Sequence, residues 1–72
     1  MEVLKLFDEY KPIKSLYETE THYICIPEVE TEPLAVFYDK EFNEYEEVYF
    51  YQRDVSNEIE NAKLLYGERL KF

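Results

Sequence analysis

The stretch Val55-Ser56-Asn57-Glu58-Ile59-Glu60-Asn61-Ala62-Lys63-Leu64-Leu65-Tyr66-Gly67 carries the clearest periodic signal in this chain. Val55, Ile59, Ala62 and Tyr66 recur at steps of four, three and four, the spacing of one helical face, and Leu65 widens that face. Asp54 precedes the pattern, where a carboxylate caps the first free N–H groups; Ser56 is an alternative cap, shifted by two. Gly67, the only glycine, follows the last turn, where a left-handed residue is favoured. Glu58 near the start and Lys63 near the end both suit the helix dipole. These start and stop signals predict a helix over 55–66.

Upstream of this helix the chain reads as strands. Tyr45-Glu46-Glu47-Val48-Tyr49-Phe50-Tyr51-Gln52 is rich in β-branched and aromatic residues. Alternation places Glu46, Val48 and Phe50 on one face and Glu47, Tyr49 and Tyr51 on the other. Leu34 to Tyr38 is a short buried-strand candidate, joined to it by a hairpin over Asp39 to Glu44, where Asn43 tolerates an unusual backbone angle. Thr21 to Ile26 is a third strand, closed by Pro27. The segment Pro27 to Pro33 alternates acid with Val or Thr and reads as an extended, solvated loop. Residues 2–10 admit two readings. Val3, Phe7 and Tyr10 fit a short helix, whereas Val3, Lys5 and Phe7 fit a strand. A helix ending before Lys11-Pro12 is favoured, because the residue before a proline avoids helical angles. The expected fold is α+β: a three-stranded, mostly antiparallel sheet packed against a C-terminal helix, with this short N-terminal helix beside it.

The 72 residues form one small domain, since they leave no room for a second core. The chain is acidic, with a formal net charge of −9, but 46% apolar residues, eight Tyr and five Phe argue against disorder. A core of this size rarely supplies more than about 3–5 kcal/mol without a staple. The single Cys25 makes no internal disulfide, and one Cys with one His builds no metal cluster. Dimerisation is the remaining remedy. The opening residues, with an acid at Glu2 and no long apolar run, do not read as a secretory leader. No stretch approaches the roughly 20 apolar residues of a membrane span. The unpaired cysteine fits a reducing, cytoplasmic setting.

No constellation points to an enzyme or a cofactor. His22 and Cys25 are the only nucleophile–base pair, and three residues apart on a strand they face opposite sides. Acid–base work needs a buried carboxyl with a raised pKa, and these acids are interleaved with residues that keep them in water. The run Asp39 to Glu44 lacks the glycine at the sixth place of a calcium loop, and the twelfth place holds Phe50 instead of Glu.

The charge distribution is the stronger functional signal. Between Glu18 and Glu60 stand thirteen acids against two bases, Lys40 and Arg53. Such a field repels nucleic acid and anionic lipid and attracts basic surfaces. Glu18/Glu20, Glu28/Glu30/Glu32, Asp39/Glu41, Glu44/Glu46 and Glu58/Glu60 share a two-residue step. On a strand that step projects charges to one side, about 6–7 Å apart, comparable to the charge spacing of a nucleic-acid backbone. Eight Tyr exceed what one small core uses, and Tyr mixed with carboxylate suits a recognition patch. The expected partner-binding residues are Glu28, Glu30, Glu32, Asp39, Glu41, Glu44, Glu46, Glu47, Tyr45, Tyr49 and Tyr51. In being short, acidic and aromatic-rich, the chain is similar to small phage-encoded inhibitors as a class, although no motif identifies a family. That likeness implies an acidic binding module that mimics nucleic acid and occupies a basic site on a DNA- or RNA-acting protein, without binding nucleic acid or membrane itself. The alternative is a structural or assembly subunit that dimerises through exposed aromatic residues.

Overall fold

The protein is described here as a computed structural model covering residues 2–28 and 33–70. A short helix α1 (Glu2–Lys5) and a 3₁₀ turn (Asp8–Tyr10) lead into strand β1 (Ile13–Glu18). Then follow β2 (His22–Pro27), β3 (Leu34–Asp39), β4 (Glu44–Tyr49), a second 3₁₀ turn (Phe50–Gln52), helix α2 (Val55–Glu60) and β5 (Lys63–Gly67). The strands form one antiparallel sheet in the order β4-β3-β2-β1-β5. The first four strands are a meander. The chain then leaves the β4 edge, crosses one face of the sheet as α2 and returns at the opposite edge as β5.

The expected three-stranded sheet and long C-terminal helix are therefore overturned. Residues 13–18, which carry no strand in the expected fold, form β1 and pair on both sides, with β2 and with β5. The predicted 55–66 helix stops at Glu60 and its second half is β5. The physical reason lies in β1, whose Leu16 and Tyr17 are fully buried on opposite faces of the sheet. A strand buried on both faces needs a partner on its outer edge. Lys63 to Gly67 supplies it, with Leu64 packed against one face and Leu65 against the other. A six-residue helix has little stability of its own, so tertiary pairing overrides the helical spacing. Gly67 does sit at a positive φ of 77°, but for a different purpose. It lies opposite Ser15, and a Cβ there would collide with the Lys14 carbonyl oxygen. The strand expected over 45–52 also ends early, at Tyr49, and turns as a 3₁₀ segment.

Other expectations hold. Asn43 closes the β3–β4 hairpin at φ 55°. Asp54 caps α2, its Oδ1 accepting from the Asn57 amide at 3.2 Å; Ser56 instead donates to the Asp54 carboxylate. The N-terminal segment is helical in two pieces, α1 over Glu2–Lys5 and the 3₁₀ turn over Asp8–Tyr10, and Lys11 is extended before Pro12. The loop read as extended over Pro27 to Pro33 falls largely outside the described residues.

Both faces of the sheet are covered. One face carries Tyr17, Ile24, Ile26, Ala35, Phe37 and Val48 and packs under Val55, Ile59 and Ala62. The other carries Leu16, Cys25 and Val36 and packs under Phe7 and the N-terminal segment. His22 contacts Phe37 on the first face, so it and Cys25 lie on opposite sides, as the strand spacing requires. Arg69 locks the crossover. Its guanidinium donates to the carbonyls of Ile59 at 2.8 Å and Ala62 at 2.6 Å, closing the open end of α2.

Candidate protein-interaction surface

Strand β4 is an edge strand, and Glu44, Tyr45, Glu46, Glu47 and Tyr49 are all exposed on it. Only Val48 is buried. The pleat sorts these side chains. Glu44 and Glu46 share the face of Val48, where Arg53 donates to Glu46 at 3.3 Å. Tyr45, Glu47 and Tyr49 share the face of the N-terminal segment. There the Tyr10 hydroxyl donates to Glu47 at 2.7 Å, and this bond pushes the Tyr10 pKa up to about 12.

The aromatic residues divide into two groups. Phe7 is fully buried and sits edge-on to Tyr38 and Tyr45, with ring centroids 6.4 and 6.0 Å away. Tyr38 and Tyr45 meet at 4.9 Å, and Tyr38 stacks on Tyr23. Their hydroxyls are engaged too: Tyr45 donates to the Leu6 carbonyl and Tyr38 to Asn43 Oδ1. Tyr45 thus anchors the N-terminal segment to the sheet. Tyr49 and Tyr51 form a separate pair beyond it, stacked at 5.7 Å with planes 7° apart, and Tyr51 is 73% exposed.

The carboxylates expected to act together are dispersed. Asp39, Glu41 and Glu44 gather at the tip of the β3–β4 hairpin, where Asp39 Oδ1 accepts from the amides of Glu41 and Phe42. Glu20 belongs with them, because the β1–β2 turn touches this hairpin through a Lys40-to-Thr21 backbone bond of 3.0 Å. Glu28 lies at the opposite end of the sheet, about 17 Å along six-residue strands, in a hollow with Lys11, Pro12 and Tyr66. Glu30 and Glu32 lie outside the described residues. Of the two-residue steps, Glu44/Glu46 alone sits within one described strand. Glu18/Glu20 and Asp39/Glu41 each run from a strand into a turn, and Glu58/Glu60 runs along α2 and beyond one face of it.

Several acids are neutralised locally. Lys40 donates to Glu18 at 2.8 Å and lowers the pKa of that carboxyl. Arg53 clasps Glu58 with two bonds of 2.7 and 2.6 Å while its guanidinium lies 4.3 Å over the Phe37 ring. Asp39 lies 3.6 Å from His22, a contact that offsets charge only with a protonated imidazole. Glu20, Glu41 and Glu44 make no ion pair with a described residue. Two members of this end are not among the expected partner-binding residues: Glu20, which entered only through its two-residue step with Glu18, and Phe42, which is 66% exposed at the hairpin tip. A large apolar side chain inside a turn segment was the available signal for Phe42.

The expected nucleophile–base pairing is corrected as well: it is Thr21, not Cys25, that meets the imidazole, its Oγ1 lying 2.7 Å from His22 Nδ1. No group of three or more His, Cys, Asp or Glu is placed to hold a metal ion among the described residues. Cys25 is fully buried, and burial pushes its thiol up to about 12, so it is protonated at neutral pH. No described helix is long and apolar enough to cross a membrane. No family model, curated protein or solved structure matches the chain.

Proposed function

We propose that the chain is a non-enzymatic acidic binding module that presents β4 and the β3–β4 hairpin tip to a basic site on another protein. The observation that carries this reading is the edge strand itself. Its exposed run of Glu44, Tyr45, Glu46 and Glu47 continues the hairpin acids Asp39 and Glu41, so carboxylates flank aromatic rings along one rim of the sheet. Charge of this kind steers association and sets specificity. In its sharper form the partner is a nucleic-acid-acting protein, and the module, like a phage inhibitor, competes with nucleic acid for the basic site. The free, buried Cys25 suits a reducing cytoplasm.

The test is affinity capture from the source cell, followed by binding titrations across ionic strength. Affinity for the captured partner should fall steeply with salt, because exposed charges are screened within about 8 Å at physiological ionic strength. Added duplex DNA or RNA should displace the module if the sharper form holds. A flat salt response would sink the electrostatic reading.

A second reading is favoured by the Tyr49–Tyr51 stack, which leaves two rings exposed at the end of an edge strand. Such a patch serves a dimer or assembly interface. Sedimentation at rising concentration tests this second reading: association that Tyr51→Ala abolishes supports it, and a monomer at every concentration overturns it.

A further inference from the structure

Phe50 donates its amide to the Pro33 carbonyl at 3.2 Å, and this bond sets the alternation of the whole β3–β4 ladder. Counting back along the register, the backbone groups of Glu44, Glu46 and Val48 point toward β3. Those of Tyr45, Glu47 and Tyr49 point outward from the sheet. The Tyr49 amide is already taken, donating to Gln52 Oε1 at 2.9 Å. The N–H and C=O groups of Tyr45 and Glu47 have no hydrogen-bond partner among the described residues.

We infer that this edge receives an added strand: an extended basic segment of a partner protein, with Lys or Arg at alternate positions and apolar residues between them. The inference deepens the binding-module reading proposed above and rests on it. Tyr45 and Glu47 offer the main-chain hydrogen bonds that strand addition uses. Glu44, which has no ion pair with a described residue, and Glu46, held by Arg53 through a single 3.3 Å contact, lie on one face and meet the basic side chains. Tyr45 and Tyr49, on the other face, offer rings to the apolar ones. Gln52 closes the end of the ladder at Tyr49, which limits the added strand to the hairpin-proximal part of β4.

Charge selects this occupant over a second copy of the chain. A two-fold antiparallel pairing of β4 with itself must set outward groups against outward groups. It can centre on Glu44, Tyr45, Glu46 or Glu47, since a centre at Val48 would set Glu47 against Tyr49, whose amide Gln52 already holds. The first opposes Glu44 to its counterpart, the second Glu44 to Glu46, the third Glu46 to its counterpart, and the fourth Glu47 to its counterpart. Like charges directly opposite one another are destabilising, and each copy brings a net charge of −9. A basic strand turns the same positions into attractive pairs.

The experiment follows the amides of Tyr45 and Glu47 by NMR hydrogen exchange while a short end-capped peptide alternating Lys with Val is added. Both amides should exchange freely in the protein alone and become protected, by roughly tenfold or more, on saturation. A peptide N-methylated on its strand-facing amides should bind about tenfold more weakly, since it loses bonds while keeping its charge. A Glu-Val peptide should not bind. Because the Glu47 amide faces away from β3, Glu47→Pro should keep the fold and abolish protection, whereas Glu47→Gln should weaken binding and retain it. Absence of Lys-Val binding overturns strand addition, and so does equal binding by the N-methylated peptide. Concentration-dependent protection without peptide overturns it in favour of self-pairing. If these results appear while the captured partner still binds in a salt-sensitive way, strand addition alone has failed and the binding-module reading stands.

Discussion

The phenol of Tyr45 donates a 2.7 Å hydrogen bond to the backbone carbonyl of Leu6, tying edge strand β4 to the N-terminal helical segment. The bond separates two roles that a row of tyrosines on one strand confounds. Tyr45 holds Phe7 and its neighbours over the sheet, whereas the rings of Tyr49 and Tyr51 stack on each other.

Tyr45→Phe tests this role. The ring contact with Phe7 survives and the hydrogen bond is lost, at a cost of about 0.5–1.5 kcal/mol. For a domain of this size each kcal/mol lowers Tm by roughly 4–8 °C. Thermal unfolding followed by circular dichroism should show that drop, with the affinity of the folded protein for its partner unchanged. A separate affinity loss would place the hydroxyl in the interface.

Ile59→Asp should unfold the protein. Ile59 is 1% exposed beneath α2, and an unpaired charge buried there costs several kcal/mol, comparable to the whole stability of so small a core. Glu60→Ala, one residue on and exposed, should change stability by only about ±0.5 kcal/mol. Denaturant titrations of the two variants give the comparison, and similar midpoints would mean that α2 does not pack as described.

Val55, Ile59 and Ala62 were legible as a buried face because helix and loop both bring them to the sheet at that spacing. Tyr66 and Leu65 were not, because Lys63 to Gly67 satisfies a helical period and a strand pattern alike, and local sequence does not say that β1 lacks a partner. Gly67 takes the positive φ that its place in the sequence implies, but it ends β5 instead of a helix. The hairpin at Asn43 and the capping by Asp54 were legible because each depends on neighbours within a few residues. The grouping of acids was not. Arg53 reaches Glu46 and Glu58, and Glu20 joins the hairpin tip, through the register of strands that the sequence does not number.

Lowering the pH should remove one contribution to stability in a predictable window. Glu18 accepts a 2.8 Å hydrogen bond from Lys40, which holds its folded pKa below the ordinary value of 4.5. The ionised pair therefore stabilises the fold fully above that ordinary value, and the contribution fades as pH falls through the lower folded value. Lys40→Met should destabilise the protein more at pH 7 than in acid below the lowered folded value, where Glu18 is protonated. Part of the effect persists at low pH, because Lys40 also donates to the Thr19 carbonyl at 2.7 Å and lies over the Tyr23 ring. Denaturant midpoints of both proteins at both pH values test the sign; a larger effect in acid would refute it.

Tyr51→Ala and Tyr49→Ala decide what the exposed stack is for. Tyr51 is 73% exposed and contacts the Tyr49 ring across a 7° stack, so its removal should shift stability by less than about 1 kcal/mol. Tyr49 is 40% exposed and belongs to β4, so its removal costs somewhat more. If the stack is part of the surface that meets a basic partner, either change weakens binding by about 2 kcal/mol or more, as central aromatic contacts do. Glu47→Lys should then act mainly through a slower association rate. If the stack is instead a self-association patch, the same Tyr changes leave partner affinity intact and shift sedimentation toward monomer. Melting curves, partner titrations and sedimentation on the same three variants separate these outcomes. A Tyr49→Ala protein that melts early, with no loss of affinity beyond its folded fraction and no change in oligomeric state, would assign the ring to the fold alone and remove both tyrosines from the interaction surface.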